Sequence, residues 1–248
     1  MRSIWKRELQ AYFFTPVGYV FMGVFLLLSS LIFYSTNLQA RSSDLPTFIG
    51  MMSYLWMLLC PVLTMRLLAE ERQKRTDQLL LTSPVSLPGI VLGKYFAAVT
   101  VMLATVALTL VFALLVAVYG QVYPQELAVC YLGFILQGCA FIALDLFLSG
   151  CVSSPVTAAV LAFGGNFLLW ILDVLEVAVT TLAQGSTLLA RGGNLLRELL
   201  AFLSLYARGE SFLIGQLSFA DIGYFLSFIA AFIAMTIHSL DSRRYRGA

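Results

Sequence analysis

The chain has 248 residues, 60% of them hydrophobic and 11% charged, with a mean hydropathy of +0.90 and a formal net charge of +2. An average soluble domain carries about 25% charged residues, so this composition excludes an ordinary soluble enzyme and points to a protein immersed in lipid. At about 20 apolar residues for each crossing of an about 30 Å hydrocarbon core, the length admits about six spans and leaves no room for a separate soluble catalytic domain.

In chain order, Trp5, Leu9, Tyr12 and Phe13 share one helical face with Arg7 and Gln10 opposite, ahead of Pro16. This predicts an amphipathic interfacial helix over residues 1–15 rather than a cleaved signal peptide. Uncharged or nearly uncharged runs then predict spans at about 17–36, 46–66, 95–118, 127–149, 156–175 and 221–240. The fourth and fifth are separated by Ser149-Gly150 and the turn signal Ser153-Ser154-Pro155. These are continuous apolar runs rather than about ten-residue alternating segments, so helices are expected and not a closed β-barrel. The fold class is therefore an all-α integral membrane protein, read as one membrane domain over residues 1–248. Residues 178–219 are neither a polar loop nor two further spans. Leu195, Leu196, Leu199, Leu200 and Leu203 recur at helical spacing around Arg197 and Glu198, predicting short amphipathic helices at the outer leaflet.

Basic residues set the orientation. Arg2, Lys6, Arg7, the five Lys and Arg of residues 66–94, and Arg243, Arg244 and Arg246 fall on one side of six crossings. That side is expected to be cytoplasmic, with both termini.

Residues 66–94 form the most polar segment between spans. Arg66 to Leu81 reads as a helix continuing inward from the second span, with Glu71 and Arg75 at the favourable i,i+4 spacing. Thr82-Ser83-Pro84 should stop it, because the residue before proline is pushed out of the α region. A short helix or turn from Ser86 through Pro88-Gly89 then leads to Leu92-Gly93-Lys94 and back into the membrane. Helix, sharp turn and short helix make a rigid knuckle suited to taking force from a soluble partner.

Two motifs in this segment are decoys. Gly89 to Tyr95 has three residues between its glycines and a tyrosine after the lysine, where a phosphate-binding loop needs four and a Ser or Thr. Glu70-Glu71-Arg72-Gln73-Lys74-Arg75 fits the EExxxR pattern of membrane-embedded prenyl-protein proteases, but those need later histidines and this chain has only His238. No catalytic residue is therefore assigned. Cys60, Cys130, Cys139 and Cys151 lie in or beside apolar runs without CxxC spacing, and they are read as packing residues, not as a metal site. Ionisable residues inside spans are functional candidates because charge in hydrocarbon is costly. Asp145 is the clearest, and Asp173 and Glu176 are candidates for an outer gate.

The run Ala69-Glu70-Glu71-Arg72, then Asp77-Gln78-Leu79-Leu80-Leu81-Thr82-Ser83-Pro84-Val85-Ser86 and Ile90-Val91-Leu92-Gly93-Lys94, resembles the loop between the second and third spans of type-2 ABC transporter permeases. The opening Lys6-Arg7-Glu8-Leu9 and Phe14-Thr15-Pro16-Val17-Gly18-Tyr19, and the close Ala207-Arg208-Gly209 and Phe219 to Ser227, match as well, and the chain is most similar to the GldF-like branch. It departs from that branch at Arg75, where a glycine is common, and in residues 210–218, which intervene before the last span. The resemblance implies a permease subunit that moves a substrate across the bacterial cytoplasmic membrane, with export as the expected direction. It implies a second permease copy or related membrane subunit, and a separate ABC ATPase, in two copies, that binds ATP and Mg. A GldG-like extracytoplasmic partner, contact with membrane lipids, no cofactor in this chain and no nucleic-acid partner complete the expectation. The alternative is a membrane subunit of an ATP-driven mechanical or regulatory complex that moves no solute. The ATPase-coupling interface implied by the resemblance is Glu70, Glu71, Arg72, Arg75, Thr82, Ser83, Pro84, Val85 and Ser86.

Overall fold

A computed structural model describes residues 2–74, 86–183 and 204–244, and these are all-helical. The helices are α1 (Arg2–Phe14), α2 (Pro16–Phe33), α3 (Leu45–Thr64), α4 (Ala69–Gln73), α5 (Leu87–Tyr119), α6 (Pro124–Cys151), α7 (Pro155–Ala183), α8 (Leu205–Leu213) and α9 (Phe219–Arg244). Six segments are long and apolar enough to cross a bilayer: those of α2, α3 with α4, α5, α6, α7 and α9. The chain is a multi-pass, six-span, all-α membrane protein.

Proline sets where most spans begin. Pro16, Pro46, Pro88, Pro124 and Pro155 stand in the first helical turn of five of the six, where a missing N–H leaves nothing unsatisfied and a fixed φ favours the helix. The residue before α2, α3, α5 and α6 is extended accordingly. Asp44 adds a side-chain cap to α3, accepting from the Thr47 amide at 3.2 Å. Before it, Asn37, in the π-helical segment Tyr34–Gln39 that extends α2, donates to the carbonyls of Ser42 and Asp44, each at 3.1 Å.

Helix α6 is the hub and packs along α3, α7, α8 and α9. More than half of the spanning parts of α3 and α6 is buried, whereas α2, α5, α7 and α9 turn most of their surface outward. Those outward faces are apolar, as in Leu110, Val111, Leu114 and Val118 of α5 and Val156, Val160, Phe163 and Phe167 of α7. Polar backbone is satisfied within the helices and apolar side chains meet the lipid, the arrangement a hydrocarbon solvent requires.

Helix α1 lies against α5 and α2. Its Tyr12 is buried and donates to the Leu63 carbonyl at 2.7 Å, and its Trp5 Nε1 donates to Thr100 Oγ1 at 3.1 Å. Arg7 and Gln10 face outward. We call the end of the bundle that carries α1 the near end, and the end that carries the 40–44 and 120–123 connections the far end.

Candidate functional site at the charged near end

The inward helix expected from Arg66 to Leu81 is interrupted. Helix α3 stops at Thr64, residues 65–68 form turns, and α4 resumes at Ala69. The backbone groups freed by the break are met by one side chain: Ser149 Oγ donates to the Met65 carbonyl at 3.3 Å and accepts from the amides of Leu68 and Ala69 at 3.4 and 3.2 Å. A helix break buried beside a neighbouring helix needs such a partner.

Three charged side chains, Arg7 and Glu8 of the N-terminal helix and Lys94 of α5, converge on Glu71 of α4. Lys94, 1% exposed, places Nζ 3.0 Å from Glu8 and 2.9 Å from Glu71. Arg7 reaches the same two carboxylates at 2.9 and 2.8 Å. Its hydrogen bond to Glu8, with the nearby charge of Glu71, raises the Arg7 pKa, so the guanidinium stays cationic. Alternating charges in this square offset the desolvation that a buried lysine would otherwise suffer. Glu70, one residue before, takes Arg66 at 2.6 Å and Lys74 at 2.7 Å, both at i,i+4 spacing.

Arg72 points the other way. Its guanidinium donates to the carbonyls of Gly150 and Val152 at 2.7 and 2.9 Å. These lie at the C-terminal end of α6, where carbonyls lack helical partners and a cation is favoured. Adjacent residues of α4 therefore hold different bodies: Glu71 ties α1 and α5, and Arg72 ties α6. Glu70, Glu71 and Arg72 were expected as a docking surface, and the structure places their side chains in contacts within the chain. Ser86, also expected there, is exposed and precedes α5 in an extended conformation. Arg75, Thr82, Ser83, Pro84 and Val85 lie outside the described residues. The Gly89 to Lys94 decoy is helical within α5, and its lysine is engaged by Glu8 and Glu71.

The intramembrane candidates separate. Asp145 is fully buried between α3, α6 and α7, accepting from Thr64 Oγ1 at 3.2 Å and Asn166 Nδ2 at 3.4 Å. Asn166 also donates to the Met57 carbonyl at 3.4 Å. That carbonyl lies four residues before Pro61, which has no N–H to give it. The Asp145 group thus sits on a proline-made gap in α3. Asp173 lies at the far end, half-buried, with its Oδ1 accepting from Ser204 Oγ at 3.0 Å. Glu176 is in α7, and its side chain lies outside the described residues. Among the described residues no cluster of His, Cys, Asp and Glu is arranged to hold a metal.

Sequence reasoning left out Glu8, Lys94, Ser149, Thr64 and Asn166 as site residues. A signal existed for two of them: a lysine inside an apolar helix needs a carboxylate, and a lone amide in a span needs a backbone or side-chain partner. Which partner each takes is set by helix packing and is not written locally.

The family model described as ABC-2 family transporter protein matches residues 8–237. No curated protein matches the chain.

Proposed function

Starting from the fact that this chain belongs to the ABC-2 transporter family and is a permease component of a type-2 ABC transporter, we propose that its near end receives the mechanical output of a separate ABC ATPase. In this reading the near end faces the cytoplasm of a bacterium, the protein sits in the cytoplasmic membrane, and the family branch is GldF-like. ATP and Mg are bound and turned over by the ATPase. The docking residues are Arg75, Thr82, Ser83, Pro84, Val85 and Ser86, carried between α4 and α5. Glu70, Glu71 and Arg72 act behind them as the anchor.

The observation that carries this reading is the divided anchoring of α4. Glu71 and Arg72 are consecutive, and one grips α1 and α5 while the other grips α6. A push delivered to the 75–85 segment reaches both groups of helices from one short lever. A conformational change needs contacts that differ between two states, and ion pairs partly open to water are suited to exchange. Alternate opening of the near and far ends, with substrate leaving at the far end, follows as the transport cycle.

Val85 is the test residue. Val85→Asp would bury a charge at the ATPase contact, which interfaces tolerate poorly without a partner, and Pro84→Gly would loosen the turn while keeping the apolar side chain. The expected result is that Val85→Asp loses the ATPase on co-purification, and Pro84→Gly keeps it but lowers coupled ATP turnover. Normal ATPase recovery and full turnover in both variants would remove the segment from the coupling path.

A further inference from the structure

At the far end, α8 lies across α3 and α6 and walls one side of a half-open cavity of about 260 Å³. Glycines make this close approach possible. A Cβ on Gly133 would run into the Phe212 side chain, and one on Gly50 would stand 3.2 Å from Leu213 Cδ1. Cys130 fixes the end of α8 by donating to the Phe212 carbonyl at 3.3 Å. The cavity is thus built by packing and is not a surface wrinkle.

Its lining is chemically one-sided. Asp173 and Glu210 are both present, and neither has a cationic partner among the described residues. Among the described residues the nearby arginine is Arg208, which is bonded to Asp221 at 3.0 Å and lies over the Tyr224 ring at 5.5 Å. Tyr54 and Tyr206 stack with ring centroids 5.0 Å apart and planes 10° from parallel, forming an aromatic wall. Two buried polar groups in this lining have no partner among the described residues: Gln137 Nε2 and Tyr206 Oη, on residues 6% and 9% exposed. The Gln137 amide faces Gly209 across the space, its Oε1 3.5 Å from where a Cβ would stand. Burial, followed by the nearby Tyr54 and Asp173, raises the Tyr206 pKa, which keeps the phenol protonated as a donor.

A buried amide and a buried phenol left without partners are costly, and native proteins rarely keep them unless something else fills the bond. Carboxylates beside an aromatic face are the recognition chemistry of an ammonium ion. We propose that the far-end cavity binds the ammonium group of an amphiphile's polar head. Asp173 and Glu210 supply the countercharge, the Tyr54–Tyr206 pair supplies the aromatic wall, and Gln137 and Tyr206 bond a polar oxygen a few atoms from the nitrogen. The volume suits a head group and not a whole lipid, since drug-sized pockets start at about 300 Å³. The acyl chains of a lipid would remain along the apolar outer faces. This site needs only the folded permease and does not depend on coupling to an ATPase.

Native mass spectrometry of the purified, delipidated chain tests it, with phosphatidylethanolamine, phosphatidylglycerol and soluble phosphoethanolamine as separate probes. Retention of phosphatidylethanolamine over phosphatidylglycerol is expected, weakened about tenfold or more by Asp173→Asn, the size associated with losing one hydrogen bond to a charged group. Glu210→Gln, at an exposed position, repeats the charge test if Asp173→Asn does not fold, and Tyr206→Phe removes only the hydroxyl. Phosphoethanolamine binding that follows the same variants would support the site with a soluble ammonium compound as its source. Equal retention of the two lipids without phosphoethanolamine binding, or retention unchanged in the folded variants, would overturn it.

Discussion

Lys94 shows how one side chain decides the near end. It is buried with two carboxylates on it, and Arg7 is the other cation of the square among the described residues. Lys94→Met keeps the length and apolar stem but leaves Glu8 and Glu71 facing each other. Removing one partner of a buried pair costs about 3–5 kcal/mol, and the remaining Arg7 places the expected loss toward the lower end. A lower thermal unfolding midpoint in detergent would show it, and Lys94→Arg should restore part of the loss. Asp145 is a different case. Thr64 and Asn166 donate to a single oxygen, which an amide oxygen can replace, so Asp145→Asn should leave expression and unfolding midpoint close to those of the parent. If that variant folds normally but substrate movement stops, the carboxyl itself acts in the cycle. That Asp145 was worth attention was legible from its place in an apolar run. That Pro61 and Asn166 complete its setting was not, because the carbonyl that Asn166 holds is freed four residues before the proline and met from another helix.

Among the elements, the spans were the most legible, because about 20 apolar residues in a row allow few alternatives and prolines punctuate their starts. Less legible was the break between α3 and α4. Leu67 and Leu68 favour a continued helix, and the side chain that meets the freed backbone groups of the turn is Ser149, 80 residues beyond Ala69. Residues 195–203, expected as part of an amphipathic outer helix, lie outside the described residues, whereas α8 is described from Leu205. Its end is marked by Gly215 at φ +77°, a left-handed position where glycine is favoured, with the Gly215 amide donating to the Phe212 carbonyl at 3.0 Å. Docking of α8 rests on small residues beneath it. Gly133→Leu should force it away at a cost of about 1–3 kcal/mol, the usual penalty of overpacking. Peptide mapping after maleimide treatment should then find Cys130 modified, whereas in the parent it is buried and bonded to α8. An unreactive Cys130 in the variant would mean that α8 holds its place by other contacts.

Across the whole molecule, charge gathers at the near end, and orientation follows if that end is cytoplasmic. Gln73 is exposed there. Gln73→Cys, placed in a background lacking the exposed Cys151, should react with membrane-impermeant maleimide only in opened membranes. Labelling in intact spheroplasts would invert the topology.

The near-end square also constrains how the protein is made. Glu8 and Lys94 are 86 positions apart, and at about 5–20 residues per second of synthesis the lysine follows the glutamate by roughly 4–17 s. For that interval Glu8 has its neighbour Arg7 as counter-ion but not the buried Lys94. The nascent α1 must wait at the membrane surface while two hydrophobic segments leave the ribosome. Arrival of α5 then closes the ring of charges, so the first half of the bundle reaches its final form only when the third span is delivered. A chain stalled between α4 and α5 would hold Glu8 and Glu71 beside Arg7 but without the buried lysine that completes the square, a state that cellular quality control could distinguish from the finished permease.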